Sequence, residues 1–128
     1  MNPPTEITYH KIAHVLEIAW PEDRFELPAE LLRVYSPSAE VRGHSADDRK
    51  LQTGKKNVGV RQIAAVGNYA IRIVFDDGHD SGIFSWEFLH DLGVNQENYW
   101  QDYLAELKQA NGSRLPQIPV GQWVPKKE

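Results

Sequence analysis

The chain has 128 residues, 41% hydrophobic and 25% charged, with 18 acidic against 14 basic side chains and a formal charge of −4. That length holds one domain core, the composition excludes wholesale disorder, and the acidic balance without a Lys/Arg stripe argues against nucleic acid as a partner. With no cysteine, disulfides, thiolate catalysis and cysteine-bound zinc or iron–sulfur clusters are excluded from this chain.

No apolar run approaches the length of a membrane span, and "MNPPTEITYHK" lacks the hydrophobic segment of a signal peptide, so the expected setting is the cytoplasm, with no membrane partner. The piece "EITYH" is a candidate edge strand. Next, "VLEIAW" and "RFEL" alternate apolar and polar residues about a Pro-Glu-Asp turn and read as a hairpin. Pro28 stands where the first turn of a short helix, "AELLRVY", accepts it. Residues 36 to 56, "SPSAEVRGHSADDRKLQTGKK", show neither helical nor strand periodicity. A long stretch of this kind implies function or mobility, and residues 38 to 56 are expected to be the most mobile internal segment.

"VGVRQIAAVG" and "NYAIRIVFDDG" predict a second hairpin turning at Gly67-Asn68, with Tyr69, Ile71, Ile73 and Phe75 on one face. Ser85 is placed to cap a helix "WEFLHDL", with Glu87 in its first turn and Gly93 as the residue that ends it. A second helix, "QENYWQDYLAELKQANG", puts Tyr99, Trp100, Tyr103, Leu104, Leu107 and Ala110 on one face and closes at Gly112. The expected architecture is α+β: a two-layer sandwich with an antiparallel sheet built from two hairpins and helices on one face. Residues 1–112 form a single domain in this reading. Residues 113–128 form a Pro-rich, flexible tail in which Trp123 is a candidate docking residue.

The stretch "VGNYAIRIVFDDGHDSGIFSWEFL", with its Val-Gly-x-Tyr-Ala strand, Asp-Gly-His turn and Gly-Ile-aromatic-Ser-Trp run, resembles the gamma-butyrobetaine hydroxylase-like N-terminal domain family. The resemblance extends back through "LEIAWPEDRFELPAELLR". It implies a two-layer α/β sandwich. In this family the domain stands alone in bacteria, precedes the catalytic domain of iron- and 2-oxoglutarate-dependent hydroxylases, or accompanies Mrp-type ATPases of iron–sulfur cluster assembly. Metal-binding members carry Cys-x-Cys-x-x-Cys after a Leu-Arg pair and complete a zinc site with the histidine of Asp-Gly-His. Here Leu32-Arg33 is followed by "VYSPSAEV", which puts Ser36, Ser38 and Val41 at the thiolate positions and leaves His79. Hydroxyls are poor zinc ligands and valine is none, so no metal and no cofactor are expected.

The cluster Asp76, Asp77, His79, Asp80 and Ser81 then has three readings. The favoured one is a turn and helix cap in a non-catalytic binding or adaptor domain, whose surface for an unidentified protein partner comprises His79, Asp80, Ser81 and Trp86. The first alternative is an iron or zinc protein, tied to iron or iron–sulfur metabolism, that uses His79 with carboxylates in place of thiolates. The second is a small enzyme working through the Asp-Gly-His turn, against which stands the lack of a nucleophile elbow or oxyanion-hole signature. His10, His14 and His44 have no ligand spacing and read as surface. Trp100 and Trp123 are the candidates for exposed aromatics.

Overall fold

The computed structural model describes residues 1–42 and 49–116. Strands β1 (Glu6–His10), β2 (Val15–Ala19) and β3 (Arg24–Pro28) form an antiparallel sheet in the order β1-β2-β3. Leu16 lies opposite Tyr9 and Leu27, and Ile18 opposite Ile7 and Phe25. The period-two alternation therefore turns all six apolar side chains to one side. The opposite side carries a charged ladder in which Arg24 bonds both Glu17 and Glu6, and His10 Nε2 lies 2.9 Å from Glu17 Oε1. Pro28, at φ −60°, leads directly into α1 (Ala29–Val34), all six residues of which are buried.

The second hairpin forms β4 (Val60–Val66) and β5 (Ala70–Phe75). Ile71, Ile73 and Phe75 are buried as expected, whereas Tyr69 is 59% exposed. The pairing ends at Val66 opposite Ala70, and the Tyr69 N–H bonds back to the Val66 carbonyl at 3.5 Å. Tyr69 is thus a turn residue, outside the strand alternation. A further strand, β6 (Gly82–Ser85), stands where a turn running straight into a helix was expected, and it completes a second sheet of order β4-β5-β6. Four residues are too few to show alternation. What creates the strand is its partner, because Phe84 pairs opposite Ile71 and is fully buried.

Ser85 caps α3 (Trp86–Val94), its Oγ accepting the Phe88 N–H at 3.2 Å. Gly93 does not end the helix. It lies inside it, and a Cβ there would sit 2.4 Å from the Phe25 ring, so the residue serves close packing of α3 on β3. In α4 (Gln96–Gln109) Tyr103 and Leu107 are buried, and Tyr99, Trp100 and Leu104 are half-buried. Ala110, expected on the same face, is the exposed C-terminal cap, because the helix has already ended. The left-handed residue that closes it is Asn111, at φ +55°, and the Gly112 N–H then returns to the Leu107 carbonyl at 2.8 Å.

Among the described residues the fold is α+β, with two three-stranded antiparallel sheets and four helices packed against them. One core joins Leu16, Ile18 and Leu27 of the first sheet, Ile71, Ile73, Phe75 and Phe84 of the second, Leu31 and Leu32 of α1, and Leu89 and Leu92 of α3. Burying each such side chain is worth about 1.5–3 kcal/mol. Val34, Tyr103 and Leu107 make a smaller cluster under α4.

The stretch without periodicity contains a one-turn helix, α2 (Ala39–Arg42). Its distal part is tied down by the Lys50 N–H to the Val41 carbonyl at 2.7 Å and by Arg49 to Glu106 at 2.6 and 2.7 Å. Residues 43–48 of the segment expected to be mobile lie outside the described residues, as do His44 and Trp123. Among the described residues no helix is long and apolar enough to cross a membrane.

Candidate functional site

The Asp-Gly-His turn is closed by the Phe75 N–H to the His79 carbonyl at 2.9 Å and by the Gly78 N–H to the Phe75 carbonyl at 3.2 Å. Gly78 sits at φ +92° with open space around it, so glycine is needed there for its backbone conformation. Asp77 Oδ1 accepts the His79 N–H at 3.2 Å. This geometry turns the His79 side chain inward, where the residue is 6% exposed and its ring lies 6.0 Å from that of Phe75.

Both ring nitrogens have partners from the segment after α1. Nδ1 is 3.0 Å from Glu40 Oε2, and Nε2 is 2.9 Å from Ser36 Oγ. A carboxylate only accepts, so Nδ1 carries the proton and Nε2 receives the Ser36 hydroxyl. Ser36 Oγ also accepts the Ser38 N–H at 3.4 Å, and Ser38 Oγ accepts the Glu40 N–H at 3.2 Å while lying 2.7 Å from Ser81 Oγ. Val41, whose N–H bonds the Ser38 carbonyl at 3.0 Å, is buried. Gly82 permits the approach of the two segments, since a Cβ there would meet Ser36 Oγ at 2.4 Å.

Charges brace the turn from outside. Asp77 Oδ2 accepts from Lys55 Nζ at 2.6 Å and from Arg33 Nε at 2.9 Å. Burial alone pushes the Asp77 carboxyl up, but the Lys55 hydrogen bond, the His79 N–H and the Arg33 cation outweigh it and bring the pKa down to about 2. Burial, followed by the Arg33 cation, holds the His79 imidazole below its ordinary range despite Glu40 and Asp77. Arg33 is itself buried, and its Nη1 has no partner among the described residues.

Of the residues singled out for a binding surface, the structure brings His79, Asp80 and Ser81 together. Asp80 and Ser81 are exposed, and His79 is buried beneath them. Trp86 is elsewhere: it is 6% exposed, and its indole N–H donates to the Asn68 carbonyl at 2.8 Å, at the other end of β6. A strand lies between the turn and the helix, and this carries Trp86 away. His10 and His14 take no part, being paired with Glu17 and with the Tyr9 hydroxyl. Trp100 is half-buried, with Arg114 over its ring at 4.8 Å. Glu40 and Lys55 were not legible as site residues, because both lie in the stretch without periodicity. Asp77 did carry a signal, the Asp-Gly turn itself.

The donor set does not fit zinc. Two neutral hydroxyls and a valine replace thiolates, both His79 nitrogens are engaged, and Asp77 is committed to two cations. Among the described residues no group of three or more His, Cys, Asp or Glu side chains is placed to hold a metal ion. Ser36, His79 and Glu40 do fall in the order hydroxyl, imidazole, carboxylate that acyl-transfer enzymes use. With Ser36 only 2% exposed, however, no carbonyl carbon can reach its Oγ. The relay is structural: it fills with hydrogen bonds the place of a cross-link.

Fold and cradle together define a small α+β domain built around a buried turn histidine. The gamma-butyrobetaine hydroxylase-like N-terminal family matches residues 7–90, and the chain belongs to that family, whose domain is a non-catalytic module. Two solution NMR structures of proteins resemble the chain throughout. One is 46% identical over 98% of this chain and 99% of the other, with a TM-score of 0.81, and the second is 45% identical over 98% and 95%, with a TM-score of 0.78. A crystal structure of a protein of unknown function from Acidithiobacillus ferrooxidans, of the DUF971 family, is 37% identical over 70% of this chain and 91% of that one, with a TM-score of 0.60. No curated protein matches the chain.

Proposed function

We propose that this chain is a non-catalytic adaptor domain that captures a protein partner through the turn displaying Asp80 and Ser81 above His79, without metal or cofactor. The observation that carries the reading is the double engagement of the His79 ring by Ser36 and Glu40, at 2.9 and 3.0 Å, which supports the turn from below on both nitrogens. Loops held on rigid scaffolds are where binding groups are placed to best effect. Residues 1–112 act as one domain in this reading, and the protein works in the cytoplasm, which cell fractionation tests.

The experiment is partner capture from the native cell by folded protein matched for amount, comparing parent, His79→Ala, and His79→Ala with Asp80→Ala. Loss of a buried imidazole with two hydrogen bonds is expected to cost about 1–3 kcal/mol of stability. The double variant is expected to lose capture while remaining folded at the assay temperature. Full capture by the double variant would return the turn to a purely structural role.

A further inference from the structure

We propose that the segment Ser113–Pro116, which follows α4, is a strap whose engagement sets the geometry of the Asp77–Ser81 turn. The proposal rests on the reading of that turn as the binding site and adds its control.

The strap is fastened in two ways. The Ser113 carbonyl accepts from the Gly54 N–H and the Arg114 carbonyl from the Lys56 N–H, both at 2.9 Å. The Arg114 guanidinium grips Glu30 with Nε and Nη2, at 2.8 and 2.7 Å, and lies 4.8 Å above the Trp100 ring. Glu30 is buried, whereas the Arg114 side chain is 34% exposed and borders a cavity of about 220 Å³ lined also by Pro28, Leu31 and Trp100. The clamp is therefore reachable from outside, and its deeper half is a carboxylate that depends on it.

Both fastenings lead to one atom. Glu30 and Arg33 stand three residues apart on α1, and Arg33 Nε bonds Asp77 Oδ2 at 2.9 Å. Lys55, between the two residues whose N–H groups meet the strap, bonds the same oxygen at 2.6 Å. The other oxygen of Asp77 holds the His79 N–H. Displacing the strap frees the backbone on either side of Lys55 along one route and leaves Glu30, one helical turn from Arg33, unpaired along the other, so both cations that brace Asp77 lose support. A partner that engages Arg114 would in this way alter the turn at a distance, through the strap's backbone hydrogen bonds on one side and one turn of α1 on the other, with an attached and a detached state.

The test is backbone amide exchange by NMR on the full chain, expressed as the ratio of the His79 rate in the variant to that in the parent, with the Leu16 rate measured beside it to report global opening. Arg114→Gln is expected to raise that ratio to about ten, Arg114→Lys to raise it less, and Lys55→Met to reproduce the effect with the Arg114–Glu30 pair intact. Combining Arg114→Gln with Lys55→Met is expected to add less than the product of the two, because the routes converge. A ratio within twofold of unity in Arg114→Gln overturns the proposal. If that variant fails to fold, the same limit is applied to Arg114→Lys. Exchange needs no partner, so a failure here leaves the binding reading standing, and a failure of that reading appears in capture alone.

Discussion

The cradle around His79 and the clamp around Arg49 hold two described parts of one stretch of chain, residues 36–42 and 49–56, by different physics. At the near end Ser36, Ser38 and Glu40 bond a buried imidazole and one another, mostly through neutral groups. At the far end Arg49 places both bonds of one nitrogen on the Glu106 carboxylate and stacks 4.3 Å above the Tyr35 ring. In the first arrangement His79 and the two serines are buried while the Glu40 side chain is 70% exposed, and it depends on a proton being in the right place. The second is half-exposed, depends on charge, and is open to screening by salt. Several modest contacts, each worth about 1 kcal/mol, stand where the resemblance implies a metal cross-link in other members.

The sharpest way to test that contrast is to restore the cross-link. The triple variant Ser36→Cys, Ser38→Cys, Val41→Cys puts thiolates around the existing histidine. With zinc a thousandfold above its Kd the expected stabilisation is about 4 kcal/mol, read as a rise in Tm that a chelator reverses. The parent should show no shift with zinc or chelator. A triple variant that ignores zinc would mean that the cradle does not have the geometry of a metal site.

Acid should undo the cradle end in two stages. His79 titrates lower in the folded state than its ordinary 6.5, so stability is complete above that pH and begins to fall below it as the unfolded chain takes up the proton. Asp77, lowered from 3.8 to about 2, adds a second loss between roughly those values, worth about 1–2 kcal/mol after allowance for its partial exposure. Thermal melts from pH 7 to pH 2 should show both stages, and Asp77→Asn should remove the lower one. A melt independent of pH between 7 and 5 would contradict the His79 assignment.

The clamp end should respond least. Arg49→Lys keeps the charge but loses the planar stack on Tyr35 and the fixed donor geometry, for an expected loss of about 0.5–1 kcal/mol. The loss should shrink in concentrated salt, whereas the cost of His79→Ala should not. Equal salt dependence of the two variants would erase the distinction between the two ends.

What could be read along the chain was local and periodic. Alternation in "VLEIAW" and "AIRIVF" set which side chains pack, Ser85 announced a helix start, and the absence of cysteine excluded thiolate-bound metal while leaving a site on His79 and carboxylates open. Tyr69 and Gly93 show the limit of such reading: the first lies just beyond the last strand pair, and the second, inside a helix, is a glycine that gives Phe25 the room a Cβ would take. Neither fact is written nearby in sequence. The same holds for the site. His79 was visible in its turn, but its partners Ser36 and Glu40 are 43 and 39 residues away, in a stretch whose lack of periodicity suggested no order. Sequence determined the elements other than β6 and α2, because backbone sterics and apolar spacing act over a few residues. Only the tertiary structure decided that a serine, a glutamate and a histidine would share buried protons, because long-range contacts form where the packed core brings distant segments within hydrogen-bond reach.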